Sequence, residues 1–309
     1  MDVVSDAITA VRAGRPVTNR LRIDGGWCVR LDPYEGAGFH VVLAGTCWLL
    51  PDGGAPVTLR PGDAVLLPHG AGHVLADAPR DPAALARAVP FDALPDPPPA
   101  PAGQDADPVE LLCGKYRLDR SRTHPLLTEL PDVVHLPDDD GHHPELRAAV
   151  GLLAREVEQS GPGSCAAVPS LLDLLLVYMI RAWTTGPAGR ATGRWPAALA
   201  DPVVTEALRL LHTDPALPWT ADRLAARAGV SRATLGRRFT ALVGRPPMAY
   251  LTWWRMTLAA TALRTADTPL ESVARDVGYG SPYALSHAFR RAFGTTPGRY
   301  RAARRPAPA

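Results

Sequence analysis

The stretch 224–250, LAARAGVSRATLGRRFTALVGRPPMAY, returns at 273–300 as VARDVGYGSPYALSHAFRRAFGTTPGRY. Leu235 aligns with Leu285, Phe239 with Phe289, Gly244 with Gly294, Pro247 with Pro297 and Tyr250 with Tyr300, each pair 50 residues apart. Upstream, Ala225/Ala274 and Gly229/Gly278 are 49 apart, so the second copy has one extra residue in its turn. Self-similarity of this kind marks a duplicated structural unit. Each copy reads as a short apolar helix, a turn at glycine and a second helix opening at serine. That is the helix-turn-helix pattern, whose second helix enters a DNA major groove.

Local chemistry agrees with this reading. In the first copy Leu224, Ala225 and Ala228 form an apolar face, and Asp222 suits the positive helix start. Gly229 permits the left-handed conformation that stops the helix, and Ser231 is an N-cap for the next one. There Leu235, Phe239 and Leu242 recur at helical spacing and face inward. The opposite face holds Arg232, Ala233, Gly236 and Arg237, with Arg238 at its edge. Small residues beside arginines allow close approach to a duplex, and Arg237 can pair with a guanine edge. In the second copy Ser281 caps, Pro282 occupies the first helical position, and Leu285, Phe289 and Phe293 face the core. Tyr283, Ser286, His287 and Arg290 remain outward. Between the copies, 248–266 reads as one long helix that spaces the two reading helices.

Charge supports a nucleic-acid partner. Residues 197–309 hold 16 Arg against 7 Asp and Glu, a net of +9, while the rest of the chain nets −7 and the whole +2. A basic half of this kind is the footprint of phosphate contact. An ordinary helical bundle with solvated arginines is the bland alternative, and it does not explain the duplication.

The two copies, the long helix and the run VGYGSPYALSHAFRRAFGTTPGRYR resemble the AraC family of bacterial transcription regulators. The resemblance covers about the last 110 residues. It implies sequence-specific binding to double-stranded promoter DNA, with RNA polymerase as a further partner if the protein activates. By position, base-facing residues are Ala233 and Arg237 in the first copy and Tyr283 and His287 in the second. Family members often carry larger side chains at positions 233 and 236, so the first helix is expected to read fewer bases here.

Length points to two domains. The N-terminus lacks a basic-then-apolar leader, and the longest apolar run, LLDLLLVYMI, is short for a bilayer and contains Asp173. A cytoplasmic location without membrane contact is expected. The four cysteines show no zinc or disulfide spacing. From Leu21 to Ala76, five or six short β-like runs broken by Gly, Pro and Asp suggest a sandwich or barrel. Residues 62–73 read G-x5-P-x-G-x2-H, which resembles the second cupin motif and aims His73 into a small barrel. His40 stands where the first motif supplies a metal ligand. However, Val42 takes the place of the usual second histidine, and no glutamate follows in that strand. A divalent metal would need at least three ligands, so His40 and His73 fall short unless Cys113 joins them.

Residues 80–108, rich in Ala, Pro and Asp, read as a mobile loop. The strand VELLCGKYRLDR and the run HPLLTELPDVVHL resemble the ligand-binding domain of cupin-type AraC regulators. That resemblance implies a small-molecule effector and raises oxidant sensing at Cys113, with Lys115 and Arg117 on the same strand face. A small buried hydrophobe is the plain alternative for Cys113. Helices are expected at 5–12, 144–159 and 169–184. The last is apolar almost all round, so it must be covered, and the resemblance implies a homodimer through this helix pair. Residues 184–196, TTGPAGRATGRWP, read as a flexible linker, and RAARRPAPA after Tyr300 as a disordered basic tail.

The expected protein is therefore α+β. A cupin-like β-barrel with dimerisation helices occupies 1–185, a linker 186–196, and an all-α domain of two helix-turn-helix units joined by a long helix 197–309. Its expected role is promoter binding controlled by a small molecule or redox signal. The rival is a metal-dependent cupin enzyme, a dioxygenase or isomerase, with an accessory helical domain. The incomplete ligand set and the basic C-terminal third argue against it.

Overall fold

A computed structural model of the chain describes residues 3–11, 14–24, 26–79, 85–94, 108–118, 124–138, 143–265 and 267–304. The chain forms two compact units that are not contiguous in sequence. One comprises Arg12–Thr123 and Leu130–Gly189; the other joins Met1–Val11 and His124–Glu129 to Arg190–Ala309.

The first unit is built of two five-stranded sheets. One has the order β1 (Val17–Ile23), β9 (Val109–Tyr116), β3 (Ala37–Ala44), β6 (Ala64–Leu67), β10 (Val134–Leu136). The other has the order β5 (Val57–Leu59), β4 (Cys47–Pro51), β7 (His73–Ala76), β2 (Cys28–Leu31), β8 (Val89–Pro90). Apolar side chains from both sheets, including Val29, Leu49, Val65, Leu75 and Leu111, share one buried core. The turn at Gly62, with φ of +91°, directs Asp63 inward. There its carboxylate accepts from the backbone N–H of Arg60 and of Asp138 and lies 3.1 Å from His135 Nε2. This fixes β10 to the sheet edge.

Helices Pro144–Gln159 and Ser164–Thr185 form a hairpin in the same unit. Ser160 ends the first in the left-handed conformation. The second runs 22 residues, longer than the sequence reading, so length and composition alone would let it cross a membrane. Leu172, Leu175, Met179 and Ile180 are buried within the chain, while Leu152 and Leu174 stay exposed. The hydroxyl of Tyr116 donates to the Leu172 carbonyl at 2.7 Å and ties this helix to β9.

The second unit is helical. The two copies fold alike: Gly229 and Gly278 end the first helices with φ of +71° and +79°, and Gly244 and Gly294 end the second with +80° and +70°. Ser231 and Ser281 cap Arg232–Val243 and Pro282–Phe293 by accepting from Thr234 N–H and Ala284 N–H. Tyr250 meets Phe239 edge-on at 5.7 Å, and Tyr300 meets Phe289 edge-on at 5.3 Å. The linking helix Pro247–Thr265 serves both copies: Tyr250 and Trp254 are buried near its start, and Met256, Ala259 and Leu263 pack with the second copy. In the first reading helix Val243 is buried and Leu242 only partly so.

Two expectations need correction. The stretch read as a linker is helical, over Pro187–Thr192 and Arg194–Ala200. Trp195 is fully buried there, and Glu129 accepts from Trp195 N–H and from Arg194, which anchors the segment. Mixed Gly, Pro and Arg hid this one aromatic anchor. The basic stretch after Tyr300 stays helical to Arg304, and the remainder of that tail lies outside the described residues. Most of the expected 80–108 loop also lies outside them; β8 and a 3-10 turn at Phe91–Ala93 occupy the described part.

Candidate nucleic-acid interface and barrel site

The exposed faces of the two reading helices hold most of the residues singled out from sequence. Arg232, Ala233 and Arg237 are exposed on the first, and Tyr283, His287 and Arg290 on the second, with Ser286 partly buried. Tyr283 is 83% exposed, an unusual position for an aromatic ring unless a partner covers it. Arg238 departs from expectation. Its guanidinium pairs with Asp201 at 2.6 Å, and Asp201 also caps helix Pro202–Thr213. Arg238 thus ties the first reading helix to the start of the Pro202–Thr213 helix, with its side chain still 41% exposed. Ser231 and Ser281 likewise use their hydroxyl oxygens as caps. Arg232 lies 3.2 Å from Asp222, but both are about 70% exposed, so the pair is weak and easily exchanged for a phosphate.

Behind this face runs a buried polar chain that sequence patterning missed. Tyr250 Oη lies 3.0 Å from His124 Nε2 and 2.7 Å from His212 Nε2, and His212 Nδ1 lies 2.9 Å from the Asp6 carboxylate. Leu126 N–H donates to His124 Nδ1, so the His124 proton sits on Nε2 and is donated to Tyr250. Tyr250 then donates to His212 Nε2, and His212 donates from Nδ1 to Asp6. Each proton of the chain is donated once. Burial, then the neighbouring His212 and Arg245, holds the His124 imidazole well below its ordinary range. Burial raises the Tyr250 phenol well above its own. Directly bonded members lie up to 206 residues apart, so no spacing could signal them.

In the barrel unit the three candidates His40, His73 and Cys113 do come together. His40 on β3 stands opposite Cys113 on β9, and its Nδ1 lies 3.0 Å from the thiol sulfur. Its Nε2 lies 2.8 Å from Nε2 of His73, which comes from the other sheet. His73 Nδ1 lies 2.9 Å from the Ala71 carbonyl, which can only accept. The protons follow: His73 donates from Nδ1 to Ala71, His40 donates from Nε2 to His73, and the Cys113 thiol donates to His40 Nδ1. The set is satisfied with all members neutral. Burial, aided by the charge of Lys115, keeps His40 well below its ordinary range, and burial brings His73 down to about 4. Burial raises the Cys113 thiol, opposite to the shift that makes a thiolate reactive.

This arrangement does not fit a metal. The facing nitrogens are at hydrogen-bond separation, Cys113 lies against the far nitrogen of His40, and among the described residues no third donor converges on them. Among the described residues no group of three or more His, Cys, Asp or Glu could hold an ion. A cavity of about 260 Å³ opens beside the chain, bounded by Val17, Leu31, Tyr34, Phe91 and Lys115 as well as the two histidines.

Comparison with known proteins gives matching domains. The family described as "Cupin" matches residues 2–185, and that described as "Helix-turn-helix domain" matches residues 224–303. A putative AraC-like transcription regulator of Streptomyces lividans is 38% identical over 302 residues, covering 97% of this chain and 98% of the relative. One from Streptomyces antibioticus is 37% identical over 307 residues, with 97% and 98% covered. The solved DNA-binding domain of AdpA in complex with a target DNA is 38% identical, spanning 33% of this chain and 92% of that chain, with a TM-score of 0.32.

Proposed function

We propose a signal-controlled, promoter-binding role for this chain, which belongs to the AraC-like transcription regulators. It is a DNA-binding regulator and not an enzyme. The finer reading is that both reading helices contact the bases of one operator, with Arg237 in the first and Tyr283, Ser286, His287 and Arg290 in the second. Arg232 and Ala233 border the first contact. The observation that carries this is the exposed Tyr283–His287–Arg290 face, held by a capped helix on a unit with net charge +9 over 197–309.

Control is assigned to the unit containing the barrel, taken as 1–185 in sequence, with 186–196 joining it to the DNA-binding part at 197–309. A small molecule is favoured over an oxidant as the signal, because burial works against a Cys113 thiolate. Chain connectivity supplies a route. Helix Val3–Val11 and segment His124–Glu129, which precede and interrupt the strand-bearing sequence, belong to the helical unit. Homodimerisation is assigned to the helix pair Pro144–Gln159 and Ser164–Thr185, whose exposed Leu152 and Leu174 supply apolar surface. RNA polymerase is a partner if the protein activates.

The test is footprinting of the purified protein on the DNA upstream of its own gene at several salt concentrations. A discrete protected site and an affinity falling steeply with salt are expected. Binding indifferent to sequence at every concentration, with and without candidate effectors, contradicts the proposal.

A further inference from the structure

The barrel cavity is the strongest feature left unexplained. Its walls are mainly apolar, from Val17, Leu31 and the rings of Tyr34 and Phe91. Lys115, the single lysine of the chain, borders it from β9. Its ammonium lies 5.1 Å from the centre of the Tyr34 ring and 5.9 Å from that of Phe91. Among the described residues Lys115 has no carboxylate partner. Two acids of the surrounding strands are paired with arginines, Asp52 with Arg30 and Glu110 with Arg20.

The other polar groups narrow the ligand class. The ring nitrogens of His40 and His73 and the Cys113 thiol proton are spent on one another and on the Ala71 carbonyl. The Thr18 hydroxyl donates to the Cys113 carbonyl at 2.7 Å. A polyhydroxylated ligand such as a sugar needs many convergent hydrogen-bonding groups, and of the side chains on this wall Asn19 supplies the only amide. A cationic ligand is repelled by Lys115. An apolar body with one anionic end satisfies all of these constraints, because a cation in an apolar, aromatic setting gains most from a single counter-charge. The volume lies just below the range of about 300–1,000 Å³ that suits drug-sized ligands, so the ligand is smaller, about ten non-hydrogen atoms.

We propose that the barrel binds a monocarboxylic acid with an apolar body of about ten non-hydrogen atoms, its carboxylate on the Lys115 ammonium and its body between Tyr34, Phe91, Val17 and Leu31. This rests on the reading that the barrel unit receives the signal.

The test is calorimetric titration of the full-length protein with octanoate, 3-phenylpropanoate and 1-octanol, for wild type, Lys115→Met and Lys115→Arg. At least one carboxylate should bind wild type tenfold or more tightly than the alcohol. Lys115→Met should abolish that preference while leaving alcohol binding unchanged, and Lys115→Arg should retain it. Equal affinity for acid and alcohol, absence of binding by either acid, or a preference that survives Lys115→Met overturns the proposal. The wild-type comparison stands even if a variant fails to fold. DNA affinity measured in parallel separates the two readings. A bound acid that leaves DNA affinity unchanged counts against signal control but not against the site. Control by an uncharged molecule with no acid binding does the reverse.

Discussion

The phenolic oxygen of Tyr250 stands 2.7 Å from His212 Nε2 at the centre of the helical unit, and the same hydroxyl accepts from His124 on its other side. It is the junction where a segment from mid-chain, the N-terminal helix and the linking helix are joined by directed hydrogen bonds. Tyr250→Phe keeps the ring against Phe239 but strands both imidazoles. Each buried group left unpaired costs about 1–3 kcal/mol, so a loss of several kcal/mol is expected in urea denaturation. A change below about 0.5 kcal/mol, the range of ordinary surface substitutions, would show that the chain contributes nothing to stability.

Acid should weaken the fold before any carboxylate titrates. His40, His73 and His124 are neutral in the folded state, with values held below the ordinary one. The unfolded chain takes up their protons as pH falls below about 6.5, and the folded chain does not. Their stabilisation is therefore complete above that pH and is lost progressively below it. His73 alone, at about 4, accounts for about 2 kcal/mol of this loss by pH 5.0. Chemical denaturation at pH 7.5 and 5.0 measures this, and equal stability at the two values would contradict it.

The two turn glycines should respond differently to alanine. Both have positive φ, which costs an L-residue about 1 kcal/mol. At Gly229 a new Cβ meets nothing within 4 Å, whereas at Gly278 it comes within 2.7 Å of the Ala216 backbone. Gly278→Ala should therefore lower the thermal midpoint distinctly more than Gly229→Ala. Equal shifts would mean that the second turn has room to relax.

The cysteines should separate cleanly on native alkylation. Cys165 is exposed, while Cys47 and Cys113 are buried and burial pushes the Cys47 thiol up to about 12. With iodoacetamide at neutral pH, mass spectrometry should find Cys165 modified first, and Cys47 and Cys113 only on unfolding. Rapid native modification of Cys113 would reopen oxidant sensing at that residue.

The duplication made the helical unit legible: five residue pairs at one offset, with glycines and serines at its turns, place both reading helices within a residue or two. The short β-like runs broken by Gly, Pro and Asp likewise announced the barrel, the Gly62–His73 spacing announced His73, and the resemblance to the cupin motifs placed His40 with it. What sequence could not announce is set by tertiary contact alone. Arg238 looked like a neighbour of Arg237 on a basic face, yet it turns to Asp201 across the scaffold. Trp195, set among Gly, Pro and Arg, looked like linker and is core. Asp6 and His124 gave no local sign of belonging to the helical unit, because their partners are distant in sequence. Cys113 was expected to answer to Lys115 and Arg117 on its own strand face. Its hydrogen-bond partner is His40 on the neighbouring strand.

The central claim is that the exposed faces of the two reading helices recognise DNA. The most direct test is the affinity of wild type, Arg237→Ala, His287→Ala and Arg238→Ala for the protected upstream site and for a scrambled duplex. A lost base contact is worth about 1–3 kcal/mol, so Arg237→Ala and His287→Ala should each weaken specific binding roughly tenfold or more. Binding to the scrambled duplex should change little. Arg238→Ala should chiefly lower stability and leave the ratio of specific to scrambled affinity near that of wild type. If the first two variants bind the specific site as wild type does, or if Arg238→Ala alone abolishes discrimination, the assignment of these faces to DNA recognition is wrong.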